Sequence, residues 1–130
     1  INSYGGDVMQ GLAIIDAMNY IKSKVITIVV GVAYSMAAII LTEGSKRYAL
    51  PHSEIMIHEP STRANGKASE IIISTKRIEN TKELIANIIK KKSSKTLKQI
   101  MQDLNKDYFL NPLEALGYGL IDKIISEWYF

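Results

Sequence analysis

Cysteine is absent from this chain, which excludes disulfides, thiolate nucleophiles and zinc-ribbon sites together. The two histidines are too few to suggest a dedicated metal centre, so no resident metal or cofactor is expected. Proline is limited to three residues and glycine to eight, too few for a collagen-like repeat or a flexible linker region. An excess of one charge is also missing. Sixteen Lys and Arg stand against thirteen Asp and Glu, for a net charge of +3. Much of the surplus sits in one run, Lys90-Lys91-Lys92-Ser-Ser-Lys95, which reads as a solvated helix end where cations favour the dipole. A nucleic-acid binder is expected to be more basic. The first residues, Ile1-Asn2-Ser3, show neither an initiator Met nor the basic-then-apolar pattern of a signal peptide, so the sequence is expected to begin within a domain. What is present, 130 residues with 47% hydrophobic and 22% charged, suits one soluble domain.

One stretch requires a membrane test. Val25 to Thr42 carries no charge over 18 residues, close to the length of a span. Its first part, Val25–Val30, is β-branched, Gly31 interrupts it, and Met36–Leu41 changes to good helix formers. That pattern predicts a buried strand, an elbow at Gly31–Tyr34 and a buried helix from about Ser35 to Glu43, closed by Gly44. Before it, Asp7 is placed to cap a helix with Val8, Leu12, Ile15 and Met18 on one face. After it, Arg47–Leu50 and Glu54–His58 read as short strands separated by Pro51. Residues 59–67 read as a polar loop or an edge segment, and Ala68 to about Lys92 as a long helix striped by Ile71, Ile78, Ile85 and Ile88. Its other faces are too polar for full burial, so it is expected to project or to meet another subunit. Thr96-x-x-Gln99 and Asn111-Pro-Leu-Glu114 read as capping boxes, the first opening a helix through Asp103. Gly117 and Gly119 are expected to end the last helix before a strand over Leu120–Ile125. Strands alternating with helices predict an α/β layer fold with a largely parallel sheet.

Ser35 stands where an apolar strand gives way to an apolar helix, so the first free N–H groups of that helix face the same space as its hydroxyl. Those are the parts of a nucleophile elbow with half an oxyanion hole, although the local sequence lacks the G-x-S-x-G pattern. On residues alone, a plain N-cap serine is the commoner reading of such a position. His58 closes a strand at a sheet edge, while His52 lies in a turn. Asp107 and Asp103 cannot be told apart by spacing. Gly5-Gly6 precedes a helix, where its backbone can face an anion. Gly66-Lys67 has no P-loop around it, so any ATP dependence belongs to a partner.

Together these segments resemble the ClpP family of serine peptidases over essentially the whole chain. Ile1-Asn-Ser-Tyr-Gly-Gly6 is similar to the family's INSPGG, Gly31-Val-Ala-Tyr-Ser-Met36 to GQAASM, and Leu50–Pro60 to LPNSRVMIHQP. Asp107-Tyr-Phe-Leu110 is similar to DRFL, Pro112-Leu-Glu-Ala115 to the PEA turn, and Tyr118–Asp122 to YGLVD. The resemblance implies a ClpP/crotonase-like spiral of ββα units with a protruding handle over about 60–92, in a single domain, 1–130, that lacks the family's amino-terminal segment. It assigns the nucleophile to Ser35, the general base to His58, the orienting carboxylate to Asp107, and the oxyanion hole to the N–H groups of Gly6 and Met36.

It further implies an ATP-dependent Clp protease subunit cutting unfolded polypeptides delivered by an AAA+ unfoldase, which alone uses ATP. The partners so implied are further copies in stacked heptameric rings, or a paralogue in a mixed ring, with neither nucleic acid nor membrane. The compartment is the cytoplasm in a bacterium, or a plastid, apicoplast or mitochondrial matrix in an organelle. Two other readings are a non-catalytic ring subunit and a crotonase-like acyl-CoA enzyme. The intact Ser35, His58 and Asp107 argue against the first, and the second has no use for the Ser35–His58 pair.

The chain departs from the family at several points. Tyr4 replaces Pro, Val32 replaces Gln and Tyr34 replaces a small residue, and the two tyrosines are expected to narrow the cleft or to change the preferred side chain. Ser61-Thr62-Arg63 replaces Leu-Gly-Gly where the substrate strand pairs, and Asn105-Lys106 replaces an acidic–Arg pair used between rings.

Overall fold

The computed structural model describes residues 1–127. In order, the elements are α1 (Val8–Tyr20), β1 (Ile26–Val29), β2 (Val32–Tyr34), α2 (Met36–Thr42), β3 (Lys46–Ala49), β4 (Glu54–Ile57), α3 (Ala68–Lys90), α4 (Leu97–Asp103), β5 (Tyr108–Leu110), α5 (Pro112–Tyr118) and β6 (Lys123–Ile124). The mixed α/β architecture agrees with the sequence, but the strands form two small sheets where one was expected. The first, β1-β3-β6, is parallel throughout; the second, β2-β4-β5, joins a parallel pair to an antiparallel one.

The second sheet depends on a strand that sequence pattern did not reveal. Val32–Tyr34, read as part of an elbow, is strand β2, pairing Val32 with Glu54 and Tyr34 with Met56. Three residues are too few to display a period, and Gly31, at φ 92°, breaks the apolar run into two strands lying in different sheets. Strand β5 escaped notice for the same reason. The amino-terminal segment lies along β2, with Ser3 N–H donating to Val32 O at 2.8 Å and Tyr34 N–H to Ser3 O at 3.0 Å.

Several local signals act as read. The Asp7 carboxylate accepts from Gln10 N–H, and Asn111 with Glu114 forms a complete capping box. Thr96 forms only half of one, because the Gln99 amide donates forward to Asp103 at 2.8 Å instead of reaching back. Gly117 lies inside α5, and Gly119 alone ends it, at φ 94°. The expected strand Leu120–Ile125 shortens to Lys123–Ile124, flanked by single bonds from Asp122 N–H to Arg47 O and from Ile125 N–H to Ala49 O.

The core forms around α2, which packs on α1, α3, β1, β2 and β4 and buries Met36, Ala37, Ala38, Ile39, Leu41 and Thr42. Its small residues let neighbouring backbone approach closely. At the start of α2 the small residue is on the other helix: Gly11 of α1 makes room for Met36, since a Cβ there would stand 2.1 Å from Met36 Cγ. Helix α3, about 35 Å long at 1.5 Å per residue, divides in two. Ile85, Ala86, Ile88 and Ile89 enter the core, whereas Ile71, Ile72 and Ile73 stay exposed.

The carboxyl-terminal part of the fold is clamped to β3 by one buried guanidinium. Arg47 donates from Nη2 and Nε to the two Asp122 oxygens at 2.6 and 3.2 Å, and from Nη1 to Gly119 O at 2.5 Å. These bonds hold the Asp122 carboxyl below its ordinary value of 3.8, against the opposing effect of burial. A lowered folded-state pKa contributes stability that is fully present above the unfolded value and is lost as pH falls through the folded one. Asp122→Asn is therefore expected to cost about 2 kcal/mol at neutral pH, less than for a fully buried pair because the Asp122 side chain is 44% exposed. In thermal unfolding followed across pH, the gap between wild type and variant should close below about pH 4. A gap that is constant down to pH 2 would show that the clamp is not electrostatic.

Candidate active site

One end of the second sheet gathers the residues singled out in the sequence. Strands β2 and β4 are parallel and both end there, and β5, being antiparallel, begins there. Ser35 follows β2, His58 follows β4 and Asp107 precedes β5, so register alone brings three distant positions to one edge. Their side chains meet. His58 Nε2 lies 2.8 Å from Ser35 Oγ, and His58 Nδ1 lies 3.0 Å from Asp107 Oδ1. With Nδ1–H donating to the carboxylate, Nε2 is left with a lone pair facing the hydroxyl.

Ser35 occupies the N-cap position of α2, yet its hydroxyl caps nothing and turns to His58 instead. Its backbone, at φ 56° and ψ −125°, makes it the one non-glycine with positive φ among the described residues. Such a conformation costs about 1–3 kcal/mol and persists only where neighbours hold it. Here Ser35 N–H donates to Met56 O at 2.8 Å, and Ser35 O accepts from Ala38 N–H at 3.0 Å. Gly5, at φ 91°, presses against the same turn. A Cβ at Gly5 would lie 2.6 Å from Tyr34 O, 2.9 Å from Ser35 Cβ and 3.1 Å from Met36 N. The Gly5-Gly6 turn therefore arrives beside the first N–H of α2, which has no acceptor within its own helix.

The two aspartates that spacing left equivalent are separated by geometry. Asp103 accepts from Tyr118 Oη at 2.6 Å and from the Gln99 amide, away from His58. Burial and this contact push the Tyr118 phenol well above its ordinary range. Asp107 instead reaches His58, and His52 remains in an exposed turn after Pro51.

A cleft of about 420 Å³ opens beside Ser35 and His58. Gly6, Val8 and Met9 border it on one side, Pro60–Thr62 on another, and Ser74, Arg77, Ile78 and Thr81 of α3 on the third. The expectation that Tyr4 and Tyr34 narrow the cleft is not met, because neither ring lines it. Tyr34 is in register with Met56 and Phe109, and its ring meets Tyr4 and Phe109 at centroid distances of 5.6 Å each, on the sheet face. Its hydroxyl donates to the Glu54 carboxylate, an acceptor that pushes the phenol pKa up to about 12.

Sequence reasoning passed over Lys82, whose ammonium bonds both Glu59, next to His58, and Asn105, two residues before Asp107. A lysine on a helix carries no local signal of such a contact. Among the described residues no cluster of His, Asp and Glu is arranged to hold a metal, and no helix is long and apolar enough to cross a membrane.

Comparison with known proteins gives this geometry a context. An ATP-dependent Clp protease proteolytic subunit from Chlorella vulgaris is 44% identical over 129 residues. The aligned region is 98% of this chain and 64% of that protein, so the chain spans just under two thirds of its relative's length. The sequence pattern of the Clp protease family runs from residue 1 to residue 128. Matched over that whole stretch, the chain belongs to the Clp protease family.

Proposed function

We propose that this chain carries the active site of a serine endopeptidase, the proteolytic subunit of a Clp-type complex that hydrolyses peptide bonds of unfolded polypeptides. The observation that carries the reading is the unbroken path from Asp107 Oδ1 through both ring nitrogens of His58 to Ser35 Oγ. In this reading His58 Nε2 accepts the Ser35 proton as Oγ attacks a peptide carbonyl carbon, forming an oxyanion. The Met36 and Gly6 N–H groups stabilise that oxyanion, and Asp107 stabilises the imidazolium. The intermediate collapses with proton transfer from His58 to the leaving amine. Water then enters, gives a proton back to His58, and releases the acyl group by the reverse sequence. Each step uses groups of this chain and water, with no resident cofactor.

The wider assembly belongs to the same proposal. An AAA+ unfoldase delivers substrate and consumes ATP, in line with the ATP dependence in the name of the Chlorella vulgaris relative. The exposed Ile71, Ile72 and Ile73 on α3 supply apolar surface for contact between subunits of stacked rings. The particle works in the cytoplasm of a bacterium or in the interior of an organelle. A non-catalytic ring subunit is the poorer reading, because it needs neither the strained Ser35 backbone nor the hydroxyl turned away from its own helix.

Four variants of the assembled full-length protein test the reading. Ser35→Ala should abolish fluorophosphonate labelling and lower cleavage of a fluorogenic peptide by roughly 10⁴-fold or more. Asp107→Ala should reduce cleavage severely. Asp103→Ala should retain it within about threefold while losing about 1 kcal/mol of stability with the Tyr118 hydrogen bond. The reverse order of the two aspartates would remove Asp107 from the mechanism. Gly5→Ala should lower kcat/KM by at least ~10-fold with Ser35 still in place, because the elbow and its N–H donors must move. Undiminished turnover in that variant would place the oxyanion site elsewhere.

A further inference from the structure

We propose that Lys82 is a positioning residue for the His58–Asp107 pair; the inference rests on the reading of that pair given above. The Asp107 carboxylate is weakly held. Its side chain is 62% exposed, and among the described residues its one hydrogen bond is to His58. Its place is therefore set by the backbone of residues 104–108 and by whatever fixes that backbone against the end of β4. Two main-chain contacts do so, the pairing of Ile57 with Tyr108 and the bond from Glu59 N–H to Leu104 O at 2.7 Å. They bracket the interval in which His58 and Asp107 meet.

Lys82 adds a third contact, from a different element. Its Nζ donates to Glu59 Oε2 at 2.8 Å and also to Asn105 Oδ1. Glu59 adjoins His58 in sequence and Asn105 lies two residues before Asp107, so one ammonium joins the segments that carry base and carboxylate. The lysine side chain is only 15% exposed, and an ammonium with three donors can serve both acceptors at once. Apart from His58 itself, no side chain among the described residues bonds both segments.

The effect is separable from folding. Glu59 is 46% exposed, so removal of Lys82 leaves its carboxylate in water rather than stranded in the core. The loss should fall on geometry instead, since displacing a catalytic group by about 1 Å can cost on the order of 100-fold in rate. Lys82 bonds none of the reacting atoms and is not itself among the residues lining the cleft, so substrate binding should hardly change.

The test compares Lys82→Met, Lys82→Arg, Asn105→Leu and the Lys82→Met/Asn105→Leu double variant in the assembled full-length protein. Readouts are kcat and KM on a fluorogenic peptide, particle size and thermal unfolding. Lys82→Met should lower kcat by ~10- to 100-fold with KM within about twofold and particle size unchanged. Lys82→Arg, which retains donors for both acceptors, should recover most of the lost kcat. The double variant should be no worse than Lys82→Met, as expected for residues acting through one contact. Wild-type kcat in Lys82→Met, or a fall in kcat that only tracks loss of assembled particle, would overturn the inference. Either result in an enzyme inactivated by Ser35→Ala would leave the serine peptidase reading intact, whereas cleavage that survives Ser35→Ala would remove that reading itself.

Discussion

The site depends on one backbone conformation that its own residue disfavours. Ser35 sits at φ 56°, where a side chain crowds the main chain, and the fold holds it there from three directions. Strand β4 receives its N–H, the first turn of α2 takes up its carbonyl, and a glycine with no side chain fills the remaining side. The same bend that strains the residue releases its hydroxyl from capping duty and points it at His58. A relaxed N-cap serine would be a better helix start and would have no hydroxyl to offer.

The neighbouring elements can be understood as supports for that bend. The Ile1–Ser3 segment runs from the end of β1 onto β2, so the Gly5-Gly6 turn is delivered to the end of that strand rather than left to wander. Helix α2 is short and almost wholly buried, which fixes the direction of its first N–H groups. At the far side, Arg47 and Asp122 fasten the last helix and strand to β3, in a contact whose bidentate geometry a lysine cannot reproduce. Polar clamps and apolar packing thus divide the work: packing sets the elbow, and charged bonds set the periphery.

Much of this was legible in the residues. Asp7, Asn111 and Glu114 announce helix starts through side chains that bond to nearby backbone, a local rule that tertiary context rarely overturns. Ser35 and His58 could be placed at element ends because the apolar runs before them are clear. Strands β2 and β5 could not be read, since three residues hold no periodicity and exist as strands only through partners far along the chain. For the same reason Asp107 looked no better than Asp103 until register decided between them. The tyrosines misled for a different reason. Tyr34 adjoins Ser35 in sequence, but alternation along a strand sends its ring to the sheet face, where it meets Phe109.

His58 and Asp107 lie 49 positions apart in the chain, with two helices, α3 and α4, between them. Contacts across such a separation form late, after loop closure has been met by packing elsewhere. A chain still emerging from the ribosome therefore carries its serine and histidine well before its aspartate. The hydrogen-bonded path from Ser35 through His58 to Asp107 is therefore complete only once the segment after α4 has folded against the end of β4.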